Sequence, residues 1–145
     1  MYFVDRSKIE EILIYMETIL SEMKEGQLET LTEKLSQERM THVLIESILD
    51  VGNMMIDGFI MRDPGSYEDI IDILIDEKVL HMDEEKNYKE FIGLRKMLVN
   101  DYQNVNHSHL QVVISRNKPV LSSFSTKIRT YLTNELGVAN AFSNE

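Results

Sequence analysis

Cysteine is absent from the 145 residues, and with it every disulfide framework, thiolate metal site and cysteine nucleophile; the lack suits a reducing, cytoplasmic setting. Long apolar runs are missing too. No stretch approaches the roughly 18 uninterrupted apolar residues of a membrane-spanning helix, and Met1-Tyr-Phe-Val-Asp5 has no basic flank ahead of an apolar run, so a soluble protein is expected. Positive charge is scarce: 15 Lys and Arg face 25 Asp and Glu, for a net charge of -10. Phosphate binding draws mainly on cationic side chains, so this balance weighs against DNA and against a broad nucleic-acid surface. A small local basic site remains open, because Lys96, Arg116, Lys118, Lys127 and Arg129 enrich the C-terminal half in positive charge.

Common catalytic signatures are also lacking. There is no Gly-rich phosphate loop and no Gly-x-Ser-x-Gly elbow, which removes support for ordinary kinase, dehydrogenase and hydrolase chemistry. No Glu-x-x-His or His-x-x-x-His pair projects two ligands from one helical face, so neither a bundle metal centre nor a cofactor is expected.

What is present is helical periodicity. Ile9, Ile12, Leu13, Met16, Ile19, Leu20 and Met23 predict an amphipathic helix over 5–25 that Gly26 ends. A second helix starts near Leu28 and runs through Met40, Leu44, Ile48, Val51, Met55 and Phe59, with a break expected near Leu35. Asp63-Pro64-Gly65 is a turn, and Ser66 with Asp69 resembles a capping box for a short helix. A fourth helix is predicted from Asp83 to Gln103. Asn106 and Ser108 are cap candidates for a last helix, kinked or broken between Ser115 and Pro119 and ended by Gly137, with 140–145 as a tail. With no period-two pattern and no composition break, the expectation is one all-α domain over 1–145, an up-and-down bundle of four to five helices. Met40, Met54, Met55, Phe59 and Met61 exceed what one small bundle needs and suggest a seam buried in a homodimer.

One residue disturbs the pattern. Tyr88, Phe91, Ile92, Arg95, Leu98, Val99 and Tyr102 share one helical face at about 100° per residue, which puts an arginine where a hydrophobe belongs. Arg95 either pairs with an acid, for which Glu46 inside Leu44-Ile-Glu-Ser-Ile48 is the best candidate, or serves as a fork for phosphate. His107 and His109, beside a helix start, read as surface or capping residues or as acid–base groups.

The stretch Gly93-Leu-Arg95-Lys-Met-Leu-Val-Asn100-Asp-Tyr102 resembles the signature of the HepT-like family of the HEPN superfamily, Gly-Leu-Arg-x4-His-x-Tyr. Arg6-Ser-Lys-Ile9, Leu44-Ile-Glu-Ser-Ile-Leu-Asp-Val-Gly52, Pro64-Gly-Ser-Tyr-Glu-Asp69 and the Phe124 helix extend the resemblance over nearly the whole chain. It implies a dimer whose motif helices flank a shared groove, and a metal-independent ribonuclease toxin of a type VII pair, neutralised by an MntA-like nucleotidyltransferase antitoxin. In that scheme Arg95 stabilises phosphate charge and Tyr102 accepts AMP groups. The proton-carrying histidine does not carry over, since its place holds Asn100, whose amide hydrogen-bonds but does not exchange a proton near neutral pH. Asp101, roughly 240° from Arg95 on the wheel, is not expected to converge with it; Tyr102 lies about 20° away and Asn100 about 140°. The expectation is therefore a HepT-like protein with weakened or lost RNA cleavage, with His107, His109 or a water-bridged Asn100 as substitutes if activity survives. The alternative is a non-enzymatic helical interaction module in which Arg95 pairs structurally with Glu46.

Overall fold

A computed structural model describes the backbone of residues 4–143 and the side chains of 4–136. Its architecture is an all-α up-and-down bundle: α1 (Arg6–Glu22), α2 (Leu31–Gly58), α3 (Tyr67–Asp76), a 3-10 turn (Met82–Glu84), α4 (Glu85–Gly93), α5 (Arg95–Asn100) and α6 (His107–Ser143). Counting α4 and α5 as one interrupted helix gives five.

Helix α1 buries Ile9, Leu13, Met16, Ile19 and Leu20 along one stripe, and Asp5 caps it by accepting the Lys8 N–H at 3.0 Å. Gly26, at φ +92°, turns the chain in a conformation that favours glycine. Helix α2 starts at Leu31 because Thr30 and Glu33 form a reciprocal capping box, each bond 3.1 Å long. That cap explains its polar first turns. The expected break near Leu35 does not occur, and all 28 residues run uninterrupted as the central strut, with Leu44, Ile45, Ile48, Val51 and Met55 fully buried.

Ser66 caps α3 through the Asp69 N–H at 3.1 Å, but the Asp69 carboxylate completes only half of the expected box. It reaches past Ser66 to the Gly65 N–H at 2.8 Å and takes a two-pronged hydrogen bond from Arg62 at 2.7 and 2.8 Å. These donors hold its pKa down to about 2, the Arg62 bond contributing most. Stability tied to a depressed carboxylate is fully present above its unfolded value near 3.8 and is lost as pH falls toward about 2. We therefore expect the acid unfolding limb between those values to flatten in Asp69→Asn, as followed by helical circular dichroism against pH.

Two helix boundaries differ from the sequence pattern. The helix predicted from Asp83 to Gln103 starts through a 3-10 turn with no side-chain cap from Asp83, breaks at Leu94, and ends at Asn100. The break follows Gly93, a weak helix former by about 1 kcal/mol relative to Ala; nothing lies within 4 Å of a Cβ placed there, so crowding does not demand the glycine. Helix α6 is neither broken at Pro119 nor ended at Gly137, and continues to Ser143. Asn106 caps the start of α6, accepting the His109 N–H at 3.0 Å, while Ser108 lies inside the helix. The expected tail is thus helical up to Ser143, and 144–145 fall outside the described residues.

Tyr88 of α4 seats against Phe124 of α6, their rings edge-on at 5.9 Å, and Phe91 is fully buried in the same core. The expected methionine seam is largely consumed within this same core. Met55 and Phe59 are buried, and Met40, Met54 and Met61 pack partly buried against the chain's own apolar residues. Among the described residues, no helix is long and apolar enough to cross a membrane.

Candidate functional site

Helix α5 is only six residues long, yet it presents Arg95 to the middle of α2. The Arg95 Nε donates to Glu46 Oε1 at 2.6 Å, and its guanidinium lies 4.8 Å above the Tyr67 ring at the start of α3. The Glu46 carboxylate raises the already high Arg95 pKa, against a smaller opposing effect of burial. The side chains remain partly exposed, 29% for Arg95 and 38% for Glu46. Ion pairs at such exposure contribute about 1 kcal/mol or less, so the fold does not depend on this one.

Glu46 holds a second partner that the sequence pattern did not single out. His42, one turn earlier on α2, places Nε2 3.3 Å from the same Glu46 oxygen. One turn later, Asp50 is shifted up by desolvation and by the Glu46 charge. The His42-x-x-x-Glu46 spacing was the available signal, since residues four apart on a helix are neighbours. No sequence signal placed Tyr67 over Arg95.

The other predicted site residues are not gathered around Arg95. Asn100 is the last helical residue of α5 and is exposed. Asp101 has left the helix, with φ -106° and ψ 37°, and among the described residues its carboxylate makes no ion pair with Arg95. Tyr102 lies beyond the helix end and is 69% exposed, so the wheel that aligned it with Arg95 does not apply there. His107 is tied to Glu38 at 2.7 Å; Glu38 precedes Glu46 by two turns of α2, about 12 Å. His109 is exposed.

The basic residues of the C-terminal half are mostly neutralised. Arg116 pairs with Glu90, Lys118 with Glu25, Lys127 with Glu84, and Arg129 with both Glu10 and Glu17. Arg39 and Lys96, both exposed, make no ion pair among the described residues. On the α2–α5 face, Arg39, His42, Glu38, Leu35 and Leu98 line a cleft of about 210 Å³. No cluster of three or more His, Cys, Asp or Glu is arranged to hold a metal ion among the described residues.

Known proteins share this arrangement of helices. The family model described as ribonuclease HepT-like matches residues 9–128. YutE of Bacillus subtilis (strain 168), whose name proposes it as an RNase, is 48% identical over 144 residues, spanning 98% of this chain and 99% of that protein. The structure of Bacillus subtilis YutE, described there as a cytosolic protein of unknown function, superposes with a TM-score of 0.90 at 47% identity, covering 94% of this chain and 96% of that one. At 18% identity, where likeness speaks for the fold alone, a tri-AMPylated Shewanella oneidensis HEPN toxin in complex with an MNT antitoxin matches with a TM-score of 0.66 over 86% of this chain and 92% of that one.

Proposed function

The chain belongs to the ribonuclease HepT-like family, and from that premise we propose that it is the toxin-type member of a type VII pair, binding RNA through Arg95 and cleaving it weakly because position 100 holds an amide. One observation carries this reading. Glu46 engages Arg95 at Nε only, and among the described residues no hydrogen bond or ion pair takes up its terminal N–H groups, which leaves them for a phosphate. The Arg95–Glu46 pair itself is what the purely structural reading expects; the small worth of a pair at this exposure favours the phosphate reading.

The resemblance supplies the rest of the proposal. A nucleotidyltransferase antitoxin is the partner, and Tyr102 is its AMP acceptor, which the 69% exposure of that side chain supports. A second copy completes the groove, seated against the exposed edge of α5 where Val99 is 40% exposed.

Binding of single-stranded RNA by the purified protein, in chelator and at fixed salt, tests the reading. Arg95→Ala is expected to weaken it roughly tenfold or more, the worth of one charge-assisted contact. Unchanged RNA affinity in that variant would leave the helical interaction module as the better account.

A further inference from the structure

The motif lacks its imidazole, but the fold brings a different one to the same arginine. His42 Nε2 and Arg95 Nε touch one Glu46 oxygen, at 3.3 and 2.6 Å, so they stand no farther apart than those two lengths laid end to end. His42 also lines the α2–α5 cleft together with Arg39, which is exposed one turn earlier on α2, and Leu98 of α5 closes the other side. The imidazole thus shares a cleft of about 210 Å³ with Arg39 and Glu38 and rests on the carboxylate that holds Arg95, its side chain 30% exposed. A phosphodiester entering the cleft would meet Arg39 and His42 there, with Arg95 beyond Glu46. His107 is held at 2.7 Å on Glu38, which lines the same cleft one turn before His42.

We propose that His42 is the proton carrier for RNA cleavage in this chain, acting on single-stranded RNA whose phosphate is held between Arg95 and Arg39. The inference rests on the RNA-binding reading above. In the step it performs, neutral His42 takes the proton of the ribose 2′-hydroxyl, the O2′–P bond forms, and the P–O5′ bond breaks. The leaving 5′-oxygen takes a proton from water, and the hydroxide so formed recovers the proton from the imidazolium. The products are a 2′,3′-cyclic phosphate and a 5′-hydroxyl end. Glu46 acts as a positioning residue that aligns His42 and Arg95. The charged and titratable groups around the ring are Glu38, Arg39 and Glu46 of α2, with Arg95 of α5 held on Glu46, His107 of α6 held on Glu38, and Tyr67 of α3 stacked on Arg95.

The test is cleavage of a single-stranded oligoribonucleotide by the full chain in chelator, scored by the cyclic-phosphate product, alongside RNA affinity. His42→Gln keeps an amide for Glu46 but carries no exchangeable proton near neutral pH. It should lower cleavage roughly 100-fold or more and leave RNA affinity in place, with His42→Asn doing the same. Cleavage by His42→Gln at the native rate overturns the proposal. So does a native protein that binds RNA through Arg95 yet yields no cyclic phosphate. RNA affinity that is unchanged in Arg95→Ala overturns the binding reading itself, and is read from the binding arm alone.

Discussion

Asn100→His should raise RNA cleavage by roughly 100-fold to 10,000-fold, the range that a positioned general acid or base adds. Asn100 is the last residue of α5 and its side chain is exposed, so an imidazole fits there without displacing any packed neighbour. The end of a helix also favours the protonated ring, because the unpaired carbonyls carry partial negative charge. Its reach to the phosphate held by Arg95 depends on symmetry. Five residues of α-helix turn about 140°, which points residues 95 and 100 to different sides of one helix, so in the proposed dimer the restored histidine would serve the Arg95 of the second copy. The gain should therefore rise with protein concentration in step with dimer formation. Single-turnover rates on a labelled oligoribonucleotide, measured across a dilution series, check both statements. A rate unchanged by Asn100→His would mean that the missing imidazole is not what limits this protein.

This prediction also separates the two histidines. In the Asn100→His background, His42→Gln should cost much less than in the native chain, since the motif imidazole then carries the proton. Two groups that substitute for one another give strongly non-additive losses, whereas independent groups would give equal fold-changes in both backgrounds.

How much of this was legible in the chain follows from the range of the interactions involved. Helices α1 and α2 were readable because burial of Ile9, Leu13, Leu44 and Ile48 imposes a local period of three to four residues. The Arg95–Glu46 pair was readable for the same reason, as each is a charge inside an apolar stripe and needs a partner. The end of α5 was not, because Val99 and Tyr102 continue the periodic pattern although the helix stops at Asn100 and leaves both exposed. Periodicity reports which residues are apolar and does not report whether a neighbouring helix is there to cover them. Pro119 misled in the opposite sense. Its local penalty predicts a break, yet α6 continues through it between Val113 and Leu121, both buried in the core. The Asn117 side chain, fully buried there, donates to Glu90 Oε1 and to the Val113 carbonyl, each at 2.8 Å, and accepts from Asn87 at 2.9 Å. Tertiary hydrogen bonds and packing on both sides outweigh the single backbone donor that Pro119 lacks.

Tyr67 was invisible in sequence because its position depends on how closely α3 approaches α2, and Gly52 controls that approach. A Cβ built on Gly52 would lie 2.6 Å from Ile70 Cγ2 and 3.4 Å from Leu74 Cδ1, both on buried residues of α3. The first contact is a branch methyl beside the α3 backbone, so relief requires the helix itself to move. Gly52→Ala sets a helix-propensity gain of about 1 kcal/mol against an overpacking cost of about 1–3 kcal/mol, and should be neutral to mildly destabilising. Gly52→Val adds two further methyl groups to the same gap with less propensity gain, and should lower stability by about 2–3 kcal/mol. A urea titration should show a lower midpoint with an unchanged slope. Because α3 carries Tyr67 at its first turn, the displacement should also remove the ring from Arg95, an interaction worth about 0.5–1 kcal/mol at an exposed site. RNA affinity should then fall only a few-fold, far less than in Arg95→Ala, since Glu46 still holds the guanidinium from α2. Full stability in Gly52→Val would show that α3 does not rest on this close approach, and an RNA affinity as low as that of Arg95→Ala would show that Tyr67, rather than Glu46, sets the orientation of the arginine.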